Sequence, residues 1–587
     1  MKKSGTGARL LKISLEHPRA LVLSTFFLGL ATATQLAEPW VLGRFIDEAL
    51  GPKNIERLYF YLIAMGCLFV LRWVSAILEA YFMESLGQSV SQTLRTRVFD
   101  HFLSLPQNFY DKSSAGRWIT RVTNDISSIQ EMYSSGIVTF LSNLLVVLGT
   151  VVLLFQIHPR AAAGVLLVLL PVIALSVFFS RWLEEAYRSE RSLLSQLNSF
   201  LAENIQGIRV LQLFEKTSEQ LKRFNSLNEG HAAARIATTR TYAFFQPLLT
   251  LASGISLGLF MVLGAKAVFN RDLEVGPWVS FSTYTLMLFQ PLKELADRWN
   301  TFLSAAASAE RVFEVFEDRP EPGRLFSDRP LPGARRIQGE VIFDRVGFQY
   351  ASGRPVLSDV TARIEPGQRI GLVGATGAGK TTLISLLLRL YEITSGRIFM
   401  DGREVREWDR AELRKNIGLV QQDVFLFSGQ ISDNWILDDE VRAQRIRDRQ
   451  VSQVKSPLDR LLQETGWDLA RDLSRPVNER GTNLSQGERQ LVAFVRAALG
   501  DPGLWILDEA TANIDLETET LLHHALKDLG QGQTQILIAH RLSTIEDCDQ
   551  IWVMHQGRLV ESGAHRVLQQ SGGIYSKLLA LDRAAYS

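Results

Sequence analysis

The chain has 587 residues, enough for several folded units at roughly 150 residues each. Its 63 Lys and Arg against 62 Asp and Glu leave a net charge of +1, so no global positive field marks it as a nucleic-acid binder. A hydrophobic content of 46% excludes a disordered chain, and two cysteines, Cys67 and Cys548, exclude a disulfide scaffold and offer no metal-ligand spacing. Near the N-terminus, Lys2, Lys3, Arg9 and Lys12 precede an apolar stretch, as they would in a secretory signal. The stretch continues past Leu30 without a small-residue cleavage pattern, and five more follow, so it reads as the first of six membrane spans.

The spans fall at about 20–44, 58–82, 135–157, 159–182, 241–268 and 276–299. Residues 137–157 and 161–180 contain no charged side chain. At about 1.5 Å per helical residue, each run matches a hydrocarbon core ~30 Å thick. His158-Pro159-Arg160 joins them, which predicts a helical hairpin across the bilayer. Glu38, Arg72 and Glu79 interrupt the first two spans. The links after spans one, three and five are short, whereas those after spans two and four are long and carry Arg95, Arg97, Arg117 and Arg121, then Arg188, Arg191, Arg209 and Lys216. The positive-inside rule puts these long stretches, both termini and everything after span six in the cytoplasm. Their helical apolar period predicts spans that continue below the membrane as long rods.

Beyond the first 305 residues the composition turns polar and rich in turns, as in Asp318-Arg319-Pro320-Glu321-Pro322-Gly323, which predicts a linker over 306–338. From 339 to 587, short β-like runs such as Val341-Ile342-Phe343 and Ile370-Gly371-Leu372-Val373 alternate with helical patterns, the mark of an α/β domain with a largely parallel sheet. Gly374-Ala375-Thr376-Gly377-Ala378-Gly379-Lys380-Thr381 fits G-x-x-x-x-G-K-[ST], follows an apolar strand and opens an apolar helix at Thr382. Gly374, Thr376, Gly377, Ala378, Gly379 and Thr382 would wrap phosphates with backbone N–H groups. Lys380 would neutralise the β- and γ-phosphates, and Thr381 would hold Mg²⁺. A second apolar strand ends in Asp508-Glu509. Carboxylates at a strand end are often merely solvated, but paired with the phosphate loop they read as a Mg²⁺ ligand, Asp508, and a group polarising the attacking water, Glu509.

Between these elements lies Asn483-Leu484-Ser485-Gln486-Gly487-Glu488-Arg489-Gln490, which resembles the ABC signature LSGGQ. With it, essentially the whole chain resembles an ABC exporter half-transporter. The fold implied is an all-α six-helix transmembrane domain with long cytoplasmic helical extensions, followed by an α/β P-loop ABC nucleotide-binding domain. The resemblance implies ATP and Mg²⁺, with Tyr350 stacking on adenine and Gln422 contacting Mg²⁺ and sensing the membrane domain. It further implies that Asp515 communicates with the opposite site, that His540 meets the γ-phosphate, and that Ser485 and Gly487 meet ATP held by a second half-transporter. Pro106–Asp111 and Gly207–Gln212 are similar to the family's coupling helices and would touch a nucleotide domain near Gln422; Glu479 and Arg480 match the loop that meets one of them.

The signature departs from the family pattern at Gln486 and Glu488. A carboxylate at 488 near triphosphate predicts like-charge repulsion. This favours a heterodimer in which the present chain supplies the competent loop and acids, with a homodimer as the alternative. The expected activity is ATP-driven export of hydrophobic or amphipathic compounds, drugs or lipids, by alternating access across a bacterial inner membrane. A flippase of lipids or lipid-linked precursors is the alternative within that mechanism. Intact Glu509, Gln422 and His540 argue against a non-transporting regulator or channel subunit. Glu38, Arg72, Glu79, Lys266 and Glu294 could line a cargo path or snorkel, and Phe244, Phe245, Phe289 and Trp299 could line an aromatic cavity or face lipid.

Overall fold

The structure, a computed structural model, describes residues 5–269, 274–321, 337–350, 353–437, 444, 472–508, 532–539 and 542–586. The chain forms two compact units, one of Met1–Leu103 with Ala115–Asp318 and one of Ser104–Ser114 with Arg319–Ser587.

The first unit is helical. After α1 (Thr6–Leu15), α2 (Pro18–Phe45) starts with proline at its first position, where no N–H is needed. Three helices are far longer than a bilayer requires: α3 (Ile55–Ser104), the α8 helix described below and α10 (Thr217–Phe269), with 50, 48 and 53 residues. The 50 residues of α3 reach roughly 75 Å. Short helices α4 (Gln107–Tyr110), α5 (Ala115–Thr120) and α6 (Ile126–Glu131) follow α3. The predicted hairpin is present: α7 (Val138–Ile157) stops at extended His158, whose Nδ1 accepts from the Ala161 N–H at 3.1 Å and caps α8 (Pro159–Gln206). Helix α9 (Ile208–Leu213) links α8 to α10. Among the described residues, Pro18–Leu50, Ile55–Ser104 and Phe140–Ile157 are helical stretches long and apolar enough to cross a membrane.

The stretch read as span six breaks at Leu288 into α11 (Val275–Met287) and α12 (Phe289–Val315). Pro291 has no N–H to give the Met287 carbonyl, which explains the break. Helix α12 then continues past residue 305 to Val315. Helices α2 and α11 approach closely at Gly43 and Gly276, where a Cβ on either would run into the other's backbone. Polar groups join them: the Gly276 N–H donates to Asp47 Oδ1 at 2.7 Å, Ser280 Oγ to the Pro39 carbonyl at 2.7 Å, and Tyr284 Oη to the Leu36 carbonyl at 2.5 Å.

The second unit contains the sheets. β1 (Val341–Gln349), β2 (Pro355–Ile364), β4 (Ser395–Met400) and β5 (Arg403–Glu404) form an antiparallel sheet in the order β2-β1-β4-β5. The larger sheet runs β12-β11-β3-β10-β9-β6, from β3 (Arg369–Val373), β6 (Ile417–Val420), β9 (Leu504–Asp508), β10 (Thr534–Ile538), β11 (Gln550–His555) and β12 (Arg558–Gly563). All its pairings are parallel except β11 with β12. Its central strands are near-continuous apolar runs because both faces are covered. The register pairs Ile538 with Leu372 and Asp508, and Val420 with Leu507, so these strands end level at their carboxyl edge.

Helix α4 belongs with this unit, where Tyr391 Oη donates to Asp111 at 2.8 Å. Burial and the Asp111 carboxylate push the Tyr391 phenol well above its ordinary range. Glu321 is buried: its N–H donates to the Ser104 carbonyl at 2.7 Å, and its carboxylate accepts from Arg410 at 3.0 Å and Arg414 at 3.1 Å, both on α14 (Arg410–Lys415). Burial lowers the Arg410 pKa to about 10. Removing one partner of a buried pair typically costs about 3–5 kcal/mol. Glu321→Ala is therefore expected to lower the urea midpoint of the second unit, with Arg410→Met/Glu321→Leu losing less than Glu321→Ala; tryptophan fluorescence follows both.

Candidate nucleotide site

The site grows from the carboxyl edge of the parallel sheet, where open α/β sheets place ligands. Strand β3 ends at Val373 and the glycine loop turns into α13 (Lys380–Leu387). Two of its glycines are demanded by shape. Gly374 (φ +152) lies where a Cβ would run into the Met554 carbonyl, and Gly379 (φ +101) where one would sit 2.6 Å from Leu357 Cδ2. The turn so formed presents Thr376, Gly377 and Ala378 ahead of the helix N-terminus, whose free N–H groups and dipole favour an anion.

Lys380, the first residue of α13, is only 7% exposed. Its Nζ donates to the Gly374 carbonyl at 2.7 Å and the Ala375 carbonyl at 3.3 Å. Burial lowers its pKa, and the negative charge of Asp508 works in the opposite direction. A desolvated ammonium held by two carbonyls has a strong reason to accept an anion. Thr381 and Thr382 follow in the first helical turn, and Thr382 Oγ1 lies 3.1 Å from Tyr350 Oη. The Tyr350 ring meets Tyr391 edge-on at 5.3 Å and Phe348 at 4.8 Å, so one side of the loop carries an aromatic cluster suited to a base.

Asp508 closes β9, and Gln422 comes two residues after the end of β6. Thr381, Asp508 and Gln422 supply hard oxygen donors, the type Mg²⁺ prefers. Among the described residues no cluster of three or more His, Cys, Asp or Glu could hold a metal by itself, which fits a cation that completes its shell with phosphate oxygens and water. When bound, Mg²⁺ would neutralise charge on the phosphate oxygens. Lys380 would meet the same oxygens from the protein side. Glu509, Asp515 and His540 lie outside the described residues.

The signature opens α16 (Gln486–Ala498), with Ser485 as its N-cap and Gly487 in its first turn. Ser485 Oγ accepts from the Glu488 N–H at 3.2 Å, and Glu488 Oε2 accepts from the Ser485 N–H at 2.7 Å, a reciprocal capping box. Arg475 Nη1 donates to Glu488 Oε1 at 2.7 Å. Burial disfavours the Glu488 charge, yet the Ser485 N–H and the Arg475 guanidinium outweigh it and hold the carboxyl below its ordinary range. The repulsion expected from Glu488 is thus countered inside its own subunit. Neither Arg475 nor Tyr391 was recognised from the sequence; the Ser-x-x-Glu spacing was a readable signal for the capping box that Arg475 joins.

In the helical unit, Arg72 Nη1 donates to Glu38 at 2.7 Å, and a cavity of about 290 Å³ beside the pair is lined by Thr34, Glu38, Met65, Gly66, Leu68 and Phe69. Glu294 accepts from Asn143 at 3.1 Å and Gln290 at 3.0 Å. Phe244 is exposed and Phe289 buried; the side chains of Phe245, Lys266 and Trp299 lie outside the described residues.

A P-loop sheet domain carried on a helical, membrane-spanning unit defines an ATPase coupled to transport. The chain belongs to the ABC transporter family: residues 21–292 match the ABC transporter transmembrane region and residues 357–512 match the family described as ABC transporter. It is 36% identical to a Bacillus subtilis ABC transporter ATP-binding protein, YknV, over 97% of this chain and 92% of the relative. It is 34% identical to a B. subtilis protein named "Probable multidrug resistance ABC transporter ATP-binding/permease protein", over 86% of this chain and 74% of that one. It is 30% identical to the ATP-dependent lipid A-core flippase of Albidiferax ferrireducens over 98% of both.

Stacking of a base on an aromatic ring is worth about 1–3 kcal/mol. Tyr350→Ala is expected to weaken binding of a fluorescent ATP analogue about tenfold, while Tyr350→Phe, which loses only the Thr382 hydrogen bond, stays within about threefold.

Proposed function

We propose that this chain is one half of a dimeric exporter that moves hydrophobic or amphipathic compounds across a bacterial inner membrane, driven by ATP. The observation that carries the reading is the buried Lys380 held by its glycine loop and sensing the charge of Asp508, on the same chain as helices several turns longer than a bilayer. Thr381, Asp508 and Gln422 hold Mg²⁺, Glu509 orients and deprotonates the attacking water, and His540 meets the γ-phosphate. Tyr350 stacks on the base. Asp515 communicates with the second site. ATP between two nucleotide domains draws them together and turns the cavity outward; hydrolysis resets it.

Two exposed apolar features support a second subunit. Helix α9 leaves Ile208, Val210, Leu213 and the following Phe214 uncovered, with Leu213 80% exposed. On the other unit, Phe425 and Phe427, shortly after Gln422, meet edge to face at 5.2 Å and are also exposed. Single exposed apolar residues need no partner, whereas such clusters mark interaction sites. A homodimer and a heterodimer both satisfy them, and the Arg475–Glu488 pair removes the electrostatic ground for requiring an unlike partner. The flippase reading draws on the lipid A-core flippase relative and on the Glu38–Arg72 pair, which offers both signs of charge to a headgroup beside an apolar wall.

The test is ATPase activity of the full-length chain in lipid nanodiscs, with its mass measured. Turnover by a dimer of this chain alone, reduced at least about 100-fold by Glu509→Gln, identifies a homodimeric pump. A silent chain activated only by a second half-transporter identifies the heterodimer, and a chain silent under both conditions overturns the reading. ATP-dependent loss of a headgroup-labelled lipid from one leaflet, set against efflux of an amphipathic dye, separates flippase from drug exporter.

A further inference from the structure

Glu488 is the place where the signature departs from its family in charge, and the structure surrounds that departure with a specific arrangement. Both carboxylate oxygens are engaged: Oε2 by the Ser485 N–H at 2.7 Å and Oε1 by Arg475 Nη1 at 2.7 Å. The Glu488 N–H in turn occupies a lone pair of Ser485 Oγ at 3.2 Å. A hydroxyl that accepts one N–H from its own helix still has its proton to donate to an acceptor in front.

Arg475 is itself fixed by backbone on its other side. Its carbonyl accepts from the Ile431 N–H at 3.1 Å, and its N–H donates to the Asp472 carbonyl at 3.1 Å. Directly after it, β8 (Pro476–Val477) pairs with β7 (Gly429–Gln430), joining Gln430 to Pro476 and Gly429 to Val477. Ile431 opens α15 (Ile431–Ile436), the helix that follows the Gln422 segment. Arg475 thus ties the start of α15 by its main chain to the start of α16 by its side chain.

We propose that Arg475 is a positioning residue for ATP turnover: it neutralises Glu488 and holds the capping box so that the Ser485 hydroxyl and the α16 N-terminus meet the γ-phosphate of the ATP bound by the facing subunit. The proposal rests on the reading that two such chains, or this chain and an unlike partner, close on ATP. Arg475 touches no phosphate. It acts through Glu488, and its loss leaves a carboxylate with no counter-charge at a surface that must receive a triphosphate. The arrangement also makes the two residues opposite in sign. Removing the arginine adds net negative charge to the signature, and removing the carboxylate adds net positive charge while glutamine can still accept from the Ser485 N–H.

The experiment is a double-mutant cycle on steady-state ATPase of the full-length chain in nanodiscs, in the dimer in which it turns over ATP. Arg475→Gln is expected to lower kcat/KM about tenfold, mainly through KM, with a defect that shrinks as salt is raised. Glu488→Gln is expected to lower KM about threefold. Arg475→Gln/Glu488→Gln should return to within about twofold of the parent. Binding of fluorescent ATP to the chain's own loop, measured with the subunits held apart by low concentration in detergent, should be unchanged in Arg475→Gln. Arg475→Gln kinetics equal to the parent, or a defect that Glu488→Gln does not rescue and that follows a lowered unfolding midpoint, overturns the proposal while leaving the exporter reading intact. A parent chain without ATP turnover in any dimer overturns the exporter reading first, and the proposal with it.

Discussion

A triphosphate leaves bulk water only where opposite charge and oriented N–H groups already wait for it. On the function proposed for this chain, that requirement falls on one buried ammonium. Lys380 is buried, and two backbone carbonyls accept from its ammonium. Those carbonyls can approach because Gly374 and Gly379 have no Cβ to collide with Met554 and Leu357. The loop can turn there because β3 stops level with β10 and β9, which brings Asp508 to the same edge. The sheet order, the strand lengths and the core that flanks them all serve to keep one positive charge out of water and pointed at one place.

The helical unit answers a different solvent with the opposite strategy. In hydrocarbon every backbone group must find a partner within the protein. Between α2 and α11, side-chain hydroxyls add further donors to helix carbonyls: Ser280 Oγ donates to the Pro39 carbonyl and Tyr284 Oη to the Leu36 carbonyl. The break at Leu288 falls before Pro291 and separates a short α11 packed on α2 from a long α12. Close approach at Gly43 and Gly276 makes α2 and α11 a tight pair.

Much of this could be read in advance because the relevant signals are local. Charge-free runs of about twenty residues, the proline hairpin at His158-Pro159-Arg160 and the glycine loop between strand and helix each depend on neighbours in sequence. The break at Leu288 was local too: Pro291 lies just beyond it, and Lys293, Glu294, Asp297 and Arg298 follow, although the stretch was read as one span. Glu321 read as linker because its neighbours are turn formers, yet two arginines from α14, about ninety positions away, bury it. Tyr391 and Asp111 are still farther apart in sequence, and no pattern announces their hydrogen bond. Glu488 is the instructive case. Read against the family pattern, it was an intruding charge. Read as the fourth residue of Ser-x-x-Glu, it is the ordinary partner of an N-cap serine.

That second reading changes what the altered signature can be asked to explain. A bare carboxylate facing triphosphate would make one of the two composite sites weaker than the other and so call for an unlike partner. A carboxylate locked to its own helix by Ser485 and paired with Arg475 adds a dipole rather than a net charge, and a dipole's field falls off faster with distance than a charge's. The asymmetry, if the assembly has one, then has to come from residues other than Glu488. The exposed α9 and the exposed Phe425 and Phe427 point the same way: they ask for a second subunit, but nothing in their apolar chemistry distinguishes a copy from a relative. The geometry of the signature is therefore compatible with two equal sites, and departure from a family's residue is weak evidence of lost function until the partners that residue has acquired are known.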